Sequence, residues 1–358
     1  MKRDGAMKGD VTTRPLAFIG LGNMGGHMSR RLAQAGLDLT VFDLDAGKVA
    51  AAVAAGARPA SSAAAAATDA AVLLTSLPTP AAVDDVMLGA GGVLAALPDG
   101  ALWVDMSTSL PAVADRVRTR GAARGIRVLD APVSGMSTGA ATGTLHLYVG
   151  GEAADLEQVR PVLEVIGDRD HIRHVGGHGA GYTVKLLLNL LWFSSLVATA
   201  EALTVGVRAG VDLAVLHEAL VTSQANSVLL EHDLLPLLLE GDYEPGFAVA
   251  LACKDLGLAI DLARSQDVPV ELSAVVEQVF RRARAAYGET AGEMSPVRLY
   301  EELAGLELRL PGSRPAAGDD ATAPGNDAAA GGDATAPGND AAASDGAAAP
   351  TPSARRAA

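Results

Sequence analysis

The chemistry in this sequence begins with a single lysine. Lys185 lies in the run GGHGAGYTVKLLLNLLWFSSLVATAEALTVG, residues 176–206, which opens on glycines and continues as an almost wholly apolar helix. An ammonium on such a helix is costly to bury unpaired, and burial lowers its pKa toward the range where an amine exchanges protons. Asn189 follows at i+4, so both side chains project from one helix face. The alternative is that Lys185 snorkels to solvent from the first turns. A second stretch, Gly20-Leu21-Gly22-Asn23-Met24-Gly25, has the spacing of a turn that lets a pyrophosphate approach the backbone and then meets it with the free amides and positive end of a helix. Asp43 lies eighteen residues beyond Gly25. A carboxylate there accepts both ribose hydroxyls of adenosine and repels a 2′-phosphate, which favours NAD over NADP. It also has a structural alternative as the cap of the next helix, a role Asp45 fills equally well. A third stretch, residues 130–145, reads as a long loop of small residues suited to grasping a carboxylate with Ser134 and neighbouring amides. Leu77, Pro78, Ser107 and Thr108 fall just past strand ends, where open α/β sheets bind ligands.

The elements that must position these groups are legible in the periodicity. Leu16–Gly20 reads as a buried strand, followed by a helix ending at Gly36 and a second strand, Leu39–Asp43. Helices around 47–55 and 61–68 lead to a strand at 71–75. A helix after Pro80 leads to a strand at 102–105, and a helix at 111–124 to a strand at 126–130. Repeated strand–helix pairs with near-continuous apolar strands predict a parallel sheet covered on both faces. Residues 144–150 are expected to add an edge strand, 152–166 a helix and 171–175 a last strand. Beyond Gly181 only helical periodicity remains, over roughly 182–209, 212–221, 226–239, 247–266, 270–287 and 295–305. The expected fold is an α/β Rossmann-type doubly wound sheet followed by an all-α domain. The boundaries read as a flexible leader over 1–14, a nucleotide-binding domain over 15–177, a helical substrate and dimerisation domain over 178–310, and a disordered tail over 311–358. The tail carries DATAPGNDAAA twice, at 320–330 and 333–343, and no chemistry is assigned to it.

Composition narrows the partners. Apolar residues make up 49% of the chain and aromatics only 3%, so Ala, Leu and Val must build the core. The net charge is −14, of which six Asp and three Arg beyond Pro311 account for −3. A chain this acidic is a poor bulk partner for nucleic acid or an anionic membrane. A small anion met by a local cation stays possible. Residues 186–200 are long and apolar enough to raise a membrane question, but Asn189, Glu201 and the lack of a basic flank favour a core helix. The one cysteine, Cys253, allows no internal disulfide and fits a reducing compartment, so a cytoplasmic location is expected. The seven histidines are scattered, with His174 and His178 flanking a Gly-Gly turn, so no metal site is expected.

Taken together, the motifs resemble the β-hydroxyacid dehydrogenase family, which includes 3-hydroxyisobutyrate dehydrogenases and tartronate semialdehyde reductases. GLGNMG at 20–25 resembles the family's cofactor loop. DAPVSG at 130–135, closed by GTL at 143–145, resembles its substrate loop. GAGYTVKLLLN at 179–189 resembles its catalytic helix, and KDLGLA at 254–259 the segment whose lysine closes on the cofactor. The resemblance implies Lys185 as general acid–base with Asn189 as its partner. It implies Ser134, Gly135 and the amide of Met136 as the carboxylate site, and Lys254 as a cofactor contact. It further implies NAD as cofactor, a short β-hydroxy acid as substrate, and a homodimer or homotetramer. Two positions depart from the pattern: Met136 stands where a second glycine is usual, and Leu190 where a second asparagine is common. A non-catalytic NAD-binding scaffold is the competing class of function, which the retained Lys185 and Asn189 argue against. An imine reductase is a further alternative, opposed by Lys185 and by Asp43.

Overall fold

The computed structural model describes residues 10–310 except Pro245, and the segment read as a tail lies outside the described residues. The strands are β1 (Leu16–Ile19), β2 (Leu39–Phe42), β3 (Arg58–Pro59), β4 (Val72–Thr75), β5 (Leu102–Asp105), β6 (Arg127–Asp130), β7 (Val133–Ser134), β8 (Leu145–Gly151) and β9 (Gly167–Gly176). They form one sheet in the order β3-β2-β1-β4-β5-β6-β8-β7, with β9 paired to β8. The pairs from β3 through β6 are parallel. Strands β1, β4 and β5 are buried along their whole length, as expected for a sheet with helices on both faces. Those helices are α1 (Asn23–Gln34), α2 (Ala46–Ala54), α3 (Ala63–Ala67), α4 (Pro80–Leu88), α5 (Val93–Ala96), α6 (Pro111–Gly121), α7 (Met136–Thr142) and α8 (Ala153–Leu163). One core lies on each side of the sheet, around Phe18, Met28 and Leu147 on one face and around Trp103, Met87 and Val117 on the other.

The helical half comprises α9 (Ala180–Arg208), α10 (Leu213–Val221), α11 (Leu235–Glu240), α12 (Val249–Ser265), α13 (Glu271–Tyr287) and α14 (Ser295–Ala304). Its core gathers Phe193, Leu196 and Leu203 of α9 with Leu256 of α12 and Phe280 of α13. Helix α9 is long and apolar enough to cross a membrane by length and composition. In this fold, however, it supplies the spine of that core.

Several details differ from the sequence reading, beginning with the exposed two-residue strand β3, which no apolar run announces. Residues 145–151 are internal rather than an edge: β8 runs antiparallel to β6 and β7 and parallel to β9, and the polar, ten-residue β9 takes the outer place. The expected loop at 130–145 contains β7 and the short helix α7, because its run of small residues can close a helix between Gly135 and Gly143. The helix expected at 226–239 is split into a wide π-type turn, Leu229–Asp233, and α11, with Pro236 at the start of the latter. Proline has no N–H to give to a continuous helix and its ring clashes with the preceding turn. Finally, part of the expected leader packs against the body: Val11 is buried in a 3₁₀ turn that Asp10 caps through the amide of Thr12.

Candidate active site

The glycine turn stands where the sequence puts it, between β1 and α1. An added Cβ at Gly25 would lie 1.9 Å from the carbonyl oxygen of Gly20, so only glycine lets the helix sit this close to the strand. An added Cβ at Gly22 would meet nothing within 4 Å, and no side chain caps the start of α1. That open space beside uncapped helix amides fits a pyrophosphate, with Asn23 and Met24 leading the helix. Leu21 is a correction. Its side chain is buried and its amide donates to Asp43 Oδ2 at 2.6 Å, so it shapes the turn and has no amide left for a phosphate. Asp43 thus has a structural duty that the sequence did not disclose, bonding also to the amide of Asp45 at 2.9 Å. It does not cap α2; Asp45 does. Leu44 beside it is 95% exposed, so no cation follows directly to meet a 2′-phosphate.

A buried polar chain ties this end of the sheet to α9. The amide of Leu77, whose side chain lies against Gly20, donates to Ser107 Oγ at 2.9 Å, and Ser107 Oγ donates to Asp105 Oδ1 at 2.6 Å. The Tyr182 hydroxyl donates to Asp105 Oδ2, also at 2.6 Å, and Thr75 supplies a further bond to Oδ1. Burial pushes the Asp105 carboxyl up and its hydrogen bonds pull it back, while burial holds the Tyr182 phenol well above its ordinary value. Pro78 is exposed and Thr108 half-buried, both at the rim formed by these strand ends.

Asp130 performs the second tie, and sequence reasoning missed it. Helix α9 begins after Gly179, whose backbone is left-handed and which offers no side-chain cap. Asp130, at the end of β6, supplies the cap from another element: Oδ1 accepts the amide of Gly179 at 2.7 Å and Oδ2 that of Tyr182 at 3.0 Å. Burial pushes its carboxyl up to about 6, against the opposing pull of these amides. A buried carboxylate at a helix N-terminus satisfies otherwise orphaned donors and complements the dipole. The signal was present as an Asp closing an apolar strand, but its partner lies 49 residues away.

Lys185 follows Tyr182 by three residues, about 4.5 Å along the helix axis. It stays partly accessible to solvent although protein surrounds most of it. It makes no ion pair or hydrogen bond among the described residues. Burial lowers its pKa, Asp255 and Glu293 push it back up, and Lys254 adds to the lowering. Asn189 departs from the expected role of holding the lysine. Its Nδ2 donates to Asp255 Oδ2 at 2.6 Å, because that carboxylate is 2% exposed and must find donors. Lys254 stands 2.9 Å from Asp255 Oδ1, at an angle that makes a charge pair without a hydrogen bond. Asp233, in the wide turn before α11, accepts the Trp192 indole N–H at 2.8 Å.

Ser134 closes β7, half-buried, and Gly135 leads into α7. Met136 sits where glycine would be at ease: its φ is +57°, in the left-handed region, where a side chain costs about 1 kcal/mol, and nothing in the structure explains the substitution. Its side chain is 40% exposed, so it stands out from the protein and does not fill the interior. The fold also brings together residues that the sequence scattered. His146, opposite Ser134 in the ladder, stacks on His171 at 4.0 Å with the rings 6° from parallel, and Asp168 Oδ2 lies 2.9 Å from His171 Nδ1. Their ligand atoms lie within 4.8 Å of one another, but two stacked parallel rings cannot both aim a lone pair at one ion.

A nucleotide cradle on a parallel sheet, joined through buried carboxylates to a helix bearing an unpaired amine, defines a nicotinamide-dependent oxidoreductase. Residues 15–176 match the NAD binding domain of 6-phosphogluconate dehydrogenase, and residues 179–300 match the NAD-binding domain of NADP-dependent 3-hydroxyisobutyrate dehydrogenase. The chain is 38% identical over 294 residues to 2-(hydroxymethyl)glutarate dehydrogenase of Eubacterium barkeri, covering 82% of this chain and 97% of the relative. It is 39% identical over 283 residues to 3-hydroxyisobutyrate dehydrogenase of Pseudomonas aeruginosa, covering 77% and 94%. The solved Mycobacterium tuberculosis 3-hydroxyisobutyrate dehydrogenase with L-serine superposes with a TM-score of 0.74 at 32% identity, covering 80% of this chain and 99% of that one. The chain belongs to the β-hydroxyacid dehydrogenase family, as an NAD(P)-dependent dehydrogenase acting on CH–OH groups.

Proposed function

We propose that the chain interconverts a short β-hydroxy acid and its semialdehyde or keto acid, with Lys185 as general acid–base and NAD as the preferred cofactor. The observation that carries this reading is the state of Lys185: without hydrogen bond or ion pair among the described residues, partly accessible, and lowered in pKa by burial. The nicotinamide, when bound, supplies the hydride acceptor for alcohol oxidation. Neutral Lys185 takes the hydroxyl proton as the hydride leaves carbon, and as an ammonium it returns that proton to the forming alkoxide in reduction. Ser134, Gly135 and the Met136 amide hold the substrate carboxylate, and the free Oδ1 of Asn189 accepts a hydrogen bond from the substrate or from Lys185. Lys254 contacts the cofactor, which requires it to turn from Asp255. A panel of 3-hydroxyisobutyrate, L-serine and 2-(hydroxymethyl)glutarate, assayed with NAD and NADP by nicotinamide absorbance, tests the reading. Reduction of NAD by at least one member supports it, and none across a wider set of short hydroxy acids contradicts it.

The preference for NAD rests on the Asp43 charge and the absence of a neighbouring cation at Leu44. Asp43→Asn keeps an acceptor for the Leu21 amide but removes the charge that repels a 2′-phosphate. The ratio of kcat/KM for NAD over NADP should fall about tenfold, equivalent to about 1.4 kcal/mol. An unchanged ratio would place cofactor choice elsewhere.

We further propose that the chain is a homo-oligomer. Leu187, Leu188 and Leu191 are exposed along α9, Leu191 at 64%, and Leu272 and Val275 on α13 at 69% and 62%. Apolar surface of this extent on helices is commonly covered by another subunit. Sedimentation equilibrium should give two or four times the chain mass; a single-chain mass would refute assembly.

A further inference from the structure

Asp255 is a carboxylate in an expensive place. Its side chain is 2% exposed on α12, where an apolar side chain of similar size commonly serves stability as well or better. It makes two contacts of different kinds. Oδ2 accepts the Nδ2–H of Asn189 at 2.6 Å, across the packing of α12 on α9. Oδ1 lies 2.9 Å from Lys254 Nζ but takes no hydrogen bond. Successive residues of a helix do not face one another, so Lys254 reaches this oxygen only by folding its long side chain back along α12. The directed bond of this buried carboxylate is therefore the one to Asn189.

We infer that Asp255 is a positioning residue that fixes the Asn189 amide, so that Asn189 offers its neighbours on α9 an acceptor and never a donor. The inference rests on the reading of Lys185 as the acid–base. An ionised carboxylate only accepts, so the amide must give it Nδ2; turned over, the amide would set oxygen against oxygen. Oδ1 is then the one polar side-chain atom of Asn189 without a partner among the described residues. It belongs to the residue one turn beyond Lys185 on the same face, about 6 Å along the axis. A neutral amine has two N–H donors and one lone pair. An acceptor beside it takes an N–H and leaves the lone pair for the substrate's proton. An amide N–H in that place would bind the lone pair and take the base out of use. The carboxylate on α12 thus decides which end of Asn189 the catalytic lysine meets.

Asp255→Asn keeps the shape and lifts the restriction, because the new amide can donate to the Asn189 oxygen and let Asn189 turn over. Asp255 also favours the ammonium of Lys185, so each variant is read at its own pH optimum. For alcohol oxidation, kcat should fall about tenfold in Asp255→Asn while KM for NAD does not rise. Asn189→Ala combined with Asp255→Asn should be no slower than Asn189→Ala alone, since Asp255 acts through Asn189. The exchange variant, Asn189→Asp with Asp255→Asn, restores an acceptor on α9 with the bond between the two residues reversed. It should recover most of the kcat lost in Asp255→Asn, and it keeps volume and bond should Asp255→Asn alone fold poorly. Thermal melts establish which variants are folded. Parent-like kcat in Asp255→Asn would overturn the inference, as would losses that multiply in the combined variant or an exchange variant no faster than Asp255→Asn. Failure of the underlying reading would show differently, as unimpaired turnover in Lys185→Ala.

Discussion

Lys185→Ala should turn over its hydroxy acid about 10³-fold more slowly than the parent chain while still binding NAD. The magnitude is that of a positioned acid–base in the transition state, about 10²–10⁴-fold. The retained binding follows from geometry. The glycine turn, the open space at Gly22 and the Asp43 carboxylate belong to β1, α1 and β2, and none is bonded to α9. Removing an unpaired side chain leaves no orphaned partner, so stability should change little; Asp255 keeps both Lys254 and Asn189. Steady-state kinetics with cofactor titration separates the two effects. A fall in kcat with an unchanged NAD dissociation constant is expected, and retained turnover would remove the lysine from the mechanism.

Asp130→Ala should be the most damaging change away from the reacting atoms. It deprives the amides of Gly179 and Tyr182 of their acceptor in a buried site, and each orphaned donor costs about 1–3 kcal/mol. The expected loss is about 3 kcal/mol or more, large against the roughly 5–15 kcal/mol that holds a folded domain together. Asp130→Asn keeps one acceptor and should fall between parent and alanine variant. Turnover should fall as well, because the first turn of α9 fixes the azimuth and depth of Lys185. Denaturant melts and kcat, measured on the same preparations, check both parts. Parent-like stability in Asp130→Ala would show that α9 is capped by other means.

The alternation of apolar strands and helices was legible because β1, β2, β4, β5 and β6 are short, largely apolar and bounded by turn residues, whereas the exposed two-residue β3 carries no such signal. The glycine turn and the α9 lysine were legible because each departs sharply from its surroundings. The order of β7, β8 and β9 was not, since antiparallel insertion depends on pairing partners that no local pattern specifies. Residues 136–142 read as a loop because Ser, Thr, Gly and Ala carry little periodicity, and tertiary packing makes the helix. The role of Asp130 was hidden for a related reason. Asp130 acts on residues about 50 positions later. Asn189 shows the converse: i+4 spacing set it on the lysine's face, yet the buried Asp255 claimed its amide.

The most direct test of the central claim is the rate of hydride transfer in a single turnover of Lys185→Arg, followed by stopped-flow nicotinamide absorbance at saturating NAD and substrate. Arginine keeps the positive charge and the donors but does not release its proton. If Lys185 moves the proton, hydride transfer should slow at least about a hundredfold while cofactor binding is preserved. A rate within threefold of the parent would mean that the side chain serves as a fixed cation, and the acid–base assignment would fail.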